Sequence, residues 1–174
     1  MSASAEMPYF IKPSQPLTDQ EKKEAYALAQ QSILATLGDE QDTQVKMVTI
    51  NCLLKTYLPY FYWVGFYLVR GENQLVVGPY QGTLGCLYID FGRGVCGKAA
   101  QTRETQIVPD THALQQGTEH IACDPNSRSE IVLPVFDKDQ HLLGVFDVDA
   151  TQENCFNAVD QRALEELLAK VFAR

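Results

Sequence analysis

The stretch from residue 78 to residue 149 places the strongest constraint on what this chain can fold into. It begins GPYQGTLGCLYIDFGRGVCGKAA and runs to the segment LLGVFDVDA. Three of the five cysteines lie in it, among glycines or turn-forming residues instead of in apolar runs. Acidic residues follow them on segments whose alternation is typical of strands. Thiols on loops with acids on nearby strands indicate redox chemistry on a small molecule, and the remaining chain is interpreted as scaffold.

Length and composition exclude several classes of protein. A chain of 174 residues suits one domain with a substantial core. The net charge of −8 argues against a nucleic-acid partner. We expect no membrane partner, because no apolar run approaches the roughly 20 residues of a spanning helix. Residues 1–16 lack the basic and apolar regions of a secretory signal. Five cysteines at this length do not indicate a disulfide scaffold, so we expect a cytoplasmic, reducing compartment.

Capping patterns predict two N-terminal helices. Residues 1–17 carry prolines without periodicity and predict an irregular arm before a single domain over residues 18–174. Thr18 and Glu21 form a capping box, and Gly38 ends the first helix. The apolar residues of that helix recur at helical spacing: Ala25, Leu28, Ala29, Ile33 and Leu37.

The second helix is predicted to begin after Asp42 and to present a broad apolar face. That face consists of Val45, Val48, Leu53 and Leu54. Cys52 belongs to the same run, and we expect it in the core because unpaired cysteine behaves as a small hydrophobic residue.

Two hairpins dominate the remaining prediction. Residues 61–70 and 74–80 form the first, and residues 130–136 and 142–150 form the second. Between them we predict a short helix over residues 94–101, a strand over 105–108 and a polar loop over 109–127, and Asn157 caps a final helix. This order predicts an α+β fold with a largely antiparallel sheet, helices on one face and a ligand pocket under loops on the other.

The three loop cysteines are the candidate reactive groups. Cys96 lies at a predicted helix start between Arg93 and Lys98, a setting that lowers thiol pKa. Cys123 lies in a turn, and Cys86 follows a glycine. A second interpretation is that these are three unrelated small residues.

A zinc site is a further alternative for these thiols. Cys86, Cys96, His120 and Cys123 provide the right ligand types, but structural zinc takes ligands in pairs two to four residues apart, and Cys86 and Cys96 are more widely spaced. We therefore expect no metal. Cys155, far from this set in sequence, is interpreted as structural.

Three acids form the second candidate group. Asp147 and Asp149 are two residues apart and share a strand face, and Glu130 opens the partner strand. Carboxylates gathered on a concave face repel each other, so at least one pKa should rise. They would then bind an ammonium group while one carboxyl acts as general acid; the alternative is a solvated outer face. Trp63 is most simply a core residue.

Five segments carry a resemblance to a known family. They are WVGFYL from Trp63, GPYQG from Gly78, FGRGVCG from Phe91, HIACD from His120 and SRSEIV from Ser127. From about residue 20 onward the chain resembles the free methionine-R-sulfoxide reductases, single GAF-domain enzymes. The resemblance implies a GAF fold, free L-methionine-R-sulfoxide as substrate, thioredoxin as reductant without a bound cofactor, and a role in oxidative stress. It leaves a homodimer open.

The resemblance also implies roles for individual residues. Cys123 matches the nucleophile, Cys86 the resolving cysteine and Cys96 a third thiol. Substrate-pocket positions match Trp63, Glu130, Asp147 and Asp149. Cys123 would attack the sulfoxide sulfur and become a sulfenic acid, and Cys86 would close a disulfide with it. The departing oxygen needs a proton, for which Asp149 is the first candidate and Glu130 the second.

Some residues depart from the family pattern. Tyr62 occupies a position where asparagine is expected, Leu84-Gly85 replaces a common Pro-Ala, and the loop over residues 111–119 is longer than usual. The competing class is a GAF sensor that binds a ligand without turnover. Consumption of NADPH with methionine sulfoxide and a thioredoxin system would distinguish the two.

Overall fold

The computed structural model of this chain describes residues 12–114 and 124–174. Its helices are α1 (Asp19–Leu37), α2 (Thr43–Tyr57), α3 (Gly94–Thr102), α4 (Thr111–Leu114) and α5 (Ala158–Phe172). Its strands are β1 (Trp63–Arg70), β2 (Gln74–Gln81), β3 (Tyr88–Asp90), β4 (Gln106–Val108), β5 (Ser129–Phe136) and β6 (Leu142–Ala150). Within these two ranges, no helix combines the length and apolar character needed to cross a bilayer.

The six strands form one sheet in the order β3-β2-β1-β6-β5-β4. Every neighbouring pair is antiparallel. The two predicted hairpins are confirmed as β1–β2 and β5–β6, and β6 joins them by pairing with β1 at the centre of the sheet. The predicted α+β fold with an antiparallel sheet is therefore confirmed.

The central strands alternate between two hydrophobic clusters. On β6, Phe146, Val148 and Ala150 pack into the larger cluster with buried residues of α1, α2 and α5. Val145 faces the other way, into a smaller cluster that includes Val95 and Ala99 of α3. The three long helices thus cover one face of the sheet, as predicted, and the short α3 covers part of the other.

Side-chain caps define the helix starts that the sequence predicted. Thr18 and Glu21 form the capping box of α1, and Asn157 and Asp160 form that of α5. The Asp42 side chain accepts a hydrogen bond from the Val45 amide at the start of α2. All three predicted starts are confirmed. They could be predicted because each cap depends only on residues within one turn.

The predicted apolar face of α2 is wrong in part. Val45 and Val48 are exposed, and the buried residues of this helix are Met47, Ile50, Asn51 and Leu54. Cys52 is exposed as well, so its predicted core burial is wrong. The buried face contains Asn51 because its side-chain amide donates a 2.8 Å hydrogen bond to the Pro79 carbonyl on β2.

The described part of the N-terminal arm contacts the domain near β6. Residues 12–18 form no helix or strand. The Ser14 amide donates to Thr151 Oγ1 at 2.8 Å, and the Ser14 hydroxyl donates to the Tyr60 carbonyl at 2.7 Å. The prediction of an arm over residues 1–17 extends into residues 1–11, which lie outside the described ranges, so the domain boundary stays a prediction.

Candidate active site

A cavity of about 120 Å³ lies on the face of the sheet opposite the three long helices. It is covered by the loop between β2 and β3 and by the start of α3. Six of the residues singled out in the sequence line it: Trp63, Cys86, Cys96, Glu130, Asp147 and Asp149. The predicted pocket beneath loops is therefore present, and it brings thiols and carboxyls together.

Strand register explains why the acids meet. Asp149 on β6 pairs with Glu130 on β5 and with Trp63 on β1, so these three residues form a row across the sheet. Side chains at directly paired positions lie on the same face. Asp147 lies two residues earlier on β6, on the same face as Asp149, and opposite Gly65, where a Cβ would come within 2.9 Å of the Trp63 ring.

The carboxyl groups are buried and partly desolvated, which excludes the solvated-face alternative. Glu130 and Asp147 are 7% and 6% exposed. Burial and the nearby charges of Asp147 and Asp149 raise the pKa of Glu130. Burial raises the pKa of Asp147 to about 7, although hydrogen bonds from Cys96 and Glu130 act in the opposite direction. Acid protonation near neutral pH, as predicted, follows from this burial.

Asp149 has a similar environment with one additional partner. Burial and the charge of Asp147 raise its pKa, while a hydrogen bond from the Ser127 hydroxyl to its Oδ1 lowers it. Ser127 precedes β5 and lines the same cavity. Because the pKa of each of the three acids is raised, the group holds its protons to a higher pH than isolated carboxyls would.

Cys96 differs from its prediction. The start of α3 and the neighbouring cations predicted a lowered thiol pKa, but the side chain is only 5% exposed and points toward Asp147. Its Sγ donates to Asp147 Oδ2 at 3.4 Å. Burial and the charges of Asp147 and Glu130 raise the pKa of this thiol, so Cys96 is a protonated neighbour of the acids at neutral pH.

Cys86 lies on the loop between β2 and β3 and is disulfide-bonded, whereas Cys96 is a free thiol. Cys86 is partly exposed. Apolar side chains surround it on the surface: Leu84 and Leu87 are 74% and 58% exposed, and Tyr88 is also exposed. The predicted nucleophile Cys123 and the alternative ligand His120 lie outside the described residues.

Trp63 both packs in the smaller cluster and forms one wall of the cavity. Its ring stacks on Tyr80 at 5.0 Å and on Tyr67 at 5.9 Å between centroids. Its Nε1 donates a 2.8 Å hydrogen bond to the Thr83 carbonyl. The chain passes close to this ring at Gly82, where a Cβ would come within 2.4 Å of Trp63 Cδ1 and φ is +142°. The tryptophan therefore fixes the path of the loop that carries Cys86.

Comparison with known proteins places the chain in a family. Residues 59–171 match the family described as GAF domain. The free methionine-R-sulfoxide reductase of Escherichia coli is 37% identical over 150 residues, which cover 86% of this chain and 88% of that protein. This chain belongs to the free methionine-R-sulfoxide reductases. The predicted resemblance is therefore confirmed.

Solved structures agree with this family. The reduced form of fRMsr from Staphylococcus aureus is 39% identical, with a TM-score of 0.78 over 84% of this chain and 92% of that one. The free methionine-R-sulfoxide reductase of Neisseria meningitidis, solved in complex with its substrate, is 36% identical, with a TM-score of 0.79 over 94% and 93% of the two chains.

In this free methionine-R-sulfoxide reductase, the sequence-based reasoning on single residues missed a polar connection at the edge of the cavity. Tyr62 and Thr83 both donate hydrogen bonds to Oδ2 of Asp124. Burial raises the pKa of Asp124, but these bonds and those from Asn126 outweigh it and lower the pKa. In the sequence, Asp124 is the last residue of the HIACD segment, and this segment does not indicate what its carboxylate binds.

Tyr67 is a second missed residue of this family member. It lies on β1 four residues after Trp63 and on the same face of the strand. Its side chain is buried and lines the cavity. Burial and the charge of Asp147 raise the pKa of its hydroxyl, so Tyr67 stays a protonated donor beside the acids. Its position within a run of aromatic residues predicted a strand but not the face on which it lies.

Proposed function

We propose that this chain reduces free L-methionine-R-sulfoxide to L-methionine, with Cys123 as nucleophile, Cys86 as resolving cysteine and thioredoxin as reductant. The observation that carries the proposal is the cavity itself. It joins a disulfide-bonded Cys86 to the buried acids Glu130 and Asp147, the half-buried Asp149 and an aromatic wall. The chain that carries this cavity is 36% identical to a reductase that was solved with its substrate.

The acids provide a reason for selecting the free amino acid. A free methionine sulfoxide carries an ammonium group, which a peptide-bound residue lacks. Glu130 and Asp147 are buried and Asp149 is half-buried, and together the three carboxyls form a site that stabilises such a cation. Trp63 forms the wall against which the S-methyl group packs.

The chemical step needs one thiol and one proton donor. The Cys123 thiolate attacks the sulfoxide sulfur, and a carboxylic acid protonates the sulfoxide oxygen. Oxygen transfer then leaves methionine and a sulfenic acid on Cys123, so the sulfur of the substrate is reduced and that of the cysteine oxidised. Asp149 and Glu130 are the candidate donors. Each has a raised pKa, and in Glu130 both burial and its neighbours act in that direction.

Recycling requires a second thiol and an external reductant. The Cys86 thiol condenses with the sulfenic acid, which forms a disulfide and releases water. The disulfide-bonded state of Cys86 and the free thiol of Cys96 support this order of use. The partly exposed setting of Cys86, beside exposed Leu87, gives thioredoxin access to the disulfide. Cys96, buried against Asp147, acts as a third thiol that substitutes for Cys86 only partially.

The remaining expectations follow from this reaction. The enzyme acts without a bound cofactor, because electrons arrive from thioredoxin through thiol–disulfide exchange. A cytoplasmic location supplies that reductant and fits a role in oxidative stress. A homodimer is compatible with this scheme, since the cavity lies within one chain.

An assay on resolved substrates tests the proposal. Purified protein with thioredoxin, thioredoxin reductase and NADPH should oxidise NADPH with the free R epimer. The free S epimer and peptide-bound R-sulfoxide should give background rates, because one has inverted sulfur geometry and the other lacks the ammonium. Binding of the R epimer without turnover would overturn the enzyme assignment and favour a GAF sensor.

A further inference from the structure

We propose that Cys96, Glu130 and Asp147 form a binding site for a thiophilic divalent cation, with Zn²⁺ as the best fit. One sulfur and two carboxylate oxygens, all from buried residues, lie within 4.8 Å of one another. The site comes from three elements that pack against one another: α3, β5 and β6.

The donor spacing is close to that of a bound zinc ion. Ligand atoms around tetrahedral zinc are about 3.4–3.6 Å apart, given Zn–S and Zn–O distances of about 2.3 and 2.1 Å. Cys96 Sγ and Asp147 Oδ2 are already 3.4 Å apart. The other separations are at most 4.8 Å and would have to close by no more than about 1.4 Å, a change that small side-chain rotations can supply.

An unpartnered oxygen points to a ligand at this position. Among the residues that the structure describes, none forms a hydrogen bond with Asp147 Oδ1, and the residue is only 6% exposed. A buried carboxylate oxygen in this state is unfavourable, and a cation would satisfy it. The strongest charges acting on neighbouring Glu130 are those of Asp147 and Asp149, so a cation would also relieve repulsion among the acids.

The ligand types favour zinc over the abundant hard cations. Thiolate ligands select zinc, whereas Mg²⁺ and Ca²⁺ prefer oxygen alone. On binding, the metal displaces the protons held by Cys96 and by the two carboxyls, and these protons pass to solvent. Three protein ligands leave a fourth position open toward the cavity.

This site shares only Cys96 with the zinc alternative considered in the sequence, which joined Cys96 to Cys86, Cys123 and His120. A second group of metal-type ligands, Asp137, Asp139 and His141, lies on the β5–β6 turn and is largely exposed. There the Asp137 carboxylate already accepts hydrogen bonds from the turn. That group therefore serves as an internal control.

Zinc would compete with substrate, a consequence that rests on the proposed function. The ammonium of methionine sulfoxide and the metal would both occupy the space beside Glu130 and Asp147. Bound zinc would thus inhibit the enzyme, while the cation site itself does not depend on turnover.

The direct test measures zinc affinity in the oxidised protein, where Cys86 is held in its disulfide. A Cys52→Ser background removes the exposed thiol of α2. Zn²⁺ is titrated against a chromophoric chelator, and Co²⁺ then reports thiolate ligation through its charge-transfer absorption. Cys96→Ser and Glu130→Gln are compared with Asp139→Asn in the same background, with circular dichroism confirming that each variant folds.

We expect one zinc bound per chain, with affinity lowered at least about tenfold by Cys96→Ser and by Glu130→Gln and unchanged by Asp139→Asn. Cys96→Ser should also abolish the Co²⁺–thiolate band, and Mg²⁺ should not compete. Equal affinity in Cys96→Ser and its parent would overturn the site. Methionine sulfoxide should weaken zinc binding; zinc binding with no catalytic activity toward the sulfoxide would reject the proposed function but leave the metal site intact.

Discussion

The Tyr62 hydroxyl donates a 2.7 Å hydrogen bond to Oδ2 of Asp124, the residue that follows Cys123 in the chain. Thr83, on the loop that carries Cys86, donates to the same oxygen. One carboxylate therefore joins the start of β1, the Cys86 loop and the turn after Cys123. Tyrosine at position 62, where the family pattern leads one to expect asparagine, provides the reach for this contact.

Removal of the Tyr62 hydroxyl should slow turnover without unfolding the protein. Tyr62→Phe deletes one of the bonds that hold Asp124, so the two loops should be less well positioned for disulfide closure. We expect kcat/KM to fall about three- to tenfold, the effect of one net hydrogen bond. Tyr57→Phe is the matched control, because its hydroxyl bonds Ser32 between α1 and α2. A larger effect in that control would contradict the assigned role of Tyr62.

The pKa of Asp147 predicts how stability varies with pH. In the folded state this pKa is about 7 against an ordinary value of 3.8, so folding takes up a proton between these values. The contribution of this group to stability is therefore greatest at low pH and falls as pH rises toward 7. Asp147→Asn removes this dependence. The free energy of unfolding of the variant, relative to that of the parent, should therefore rise by on the order of 2 kcal/mol as the pH goes from 5 to 8.

Urea unfolding with a chelator present checks this prediction. Glu130, Asp149 and Cys96 face Asp147 and also titrate, so the difference between parent and variant is the informative quantity. Asp139→Asn, on the exposed β5–β6 turn, should leave the pH dependence unchanged. A constant difference between parent and Asp147→Asn across this range would show that Asp147 ionises normally.

The buried acids predict a requirement for a free amino group. N-acetylation of methionine sulfoxide removes the positive charge and leaves the carboxyls without a partner, a loss of several kcal/mol if they are desolvated. The acetylated R-sulfoxide should therefore be a very poor substrate in the coupled assay. Comparable kcat/KM for the acetylated and free substrates would show that the acids do not bind the ammonium group.

The two carboxyl roles should separate kinetically. Asp149→Asn keeps shape but cannot donate the proton, so it should lower kcat more than it raises KM, whereas Asp147→Asn should act mainly on KM. Glu130→Gln tests the second candidate for the proton donor. If Glu130→Gln lowers kcat and Asp149→Asn leaves it unchanged, Glu130 is the acid.

Cys123 and Cys86 should behave differently in a single turnover of reduced enzyme. Cys123→Ser should form no methionine, because it lacks the nucleophile. Cys86→Ser should still release about one equivalent, since the sulfenic acid forms before the resolving step, and its steady-state rate with thioredoxin should drop sharply. Stoichiometric methionine from Cys123→Ser would refute the nucleophile, and loss of the burst in Cys86→Ser would place Cys86 in the chemical step.

The exposed apolar side chains beside Cys86 predict where thioredoxin docks. Leu87 is 58% exposed on this loop, and Leu87→Ser should raise the KM for thioredoxin about threefold or more, since it removes apolar contact area. Turnover driven by dithiothreitol should not change, because a small thiol needs no docking surface. Leu28→Ser, at a position 53% exposed on α1, is the control. Equal effects of Leu87→Ser with both reductants would indicate damage to the loop instead.

Local chemistry explains which elements could be predicted. The caps at Thr18 and Asn157 and the hairpin turn after Arg70 depend on a few adjacent residues, and each was predicted correctly. Strand β3 was missed because Tyr88–Asp90 has no pattern of its own and exists through pairing with β2. The exposed Val45 and Val48 show the same limit, since the orientation of α2 is set by contacts with α1 and β2.

The site could be predicted in composition but not in electrostatics. Alternation on β6 was sufficient to put Asp147 and Asp149 on one face, and the hairpin brought Glu130 beside them. The direction of the Cys96 pKa was wrong because sequence shows Arg93 and Lys98 but not the burial of the thiol against Asp147. The Tyr62–Asp124 contact joins residues 62 positions apart, and nothing in either local segment indicates it.

The alternation of β6 makes the catalytic face inseparable from the hydrophobic one. Phe146 and Val148 are held in the main core, and this orientation forces Asp147 and Asp149 into the cavity on the other side. A slip of one residue would bury the acids among helices and expose the aromatic ring. A misregistered chain would therefore lose its shape and its chemistry together.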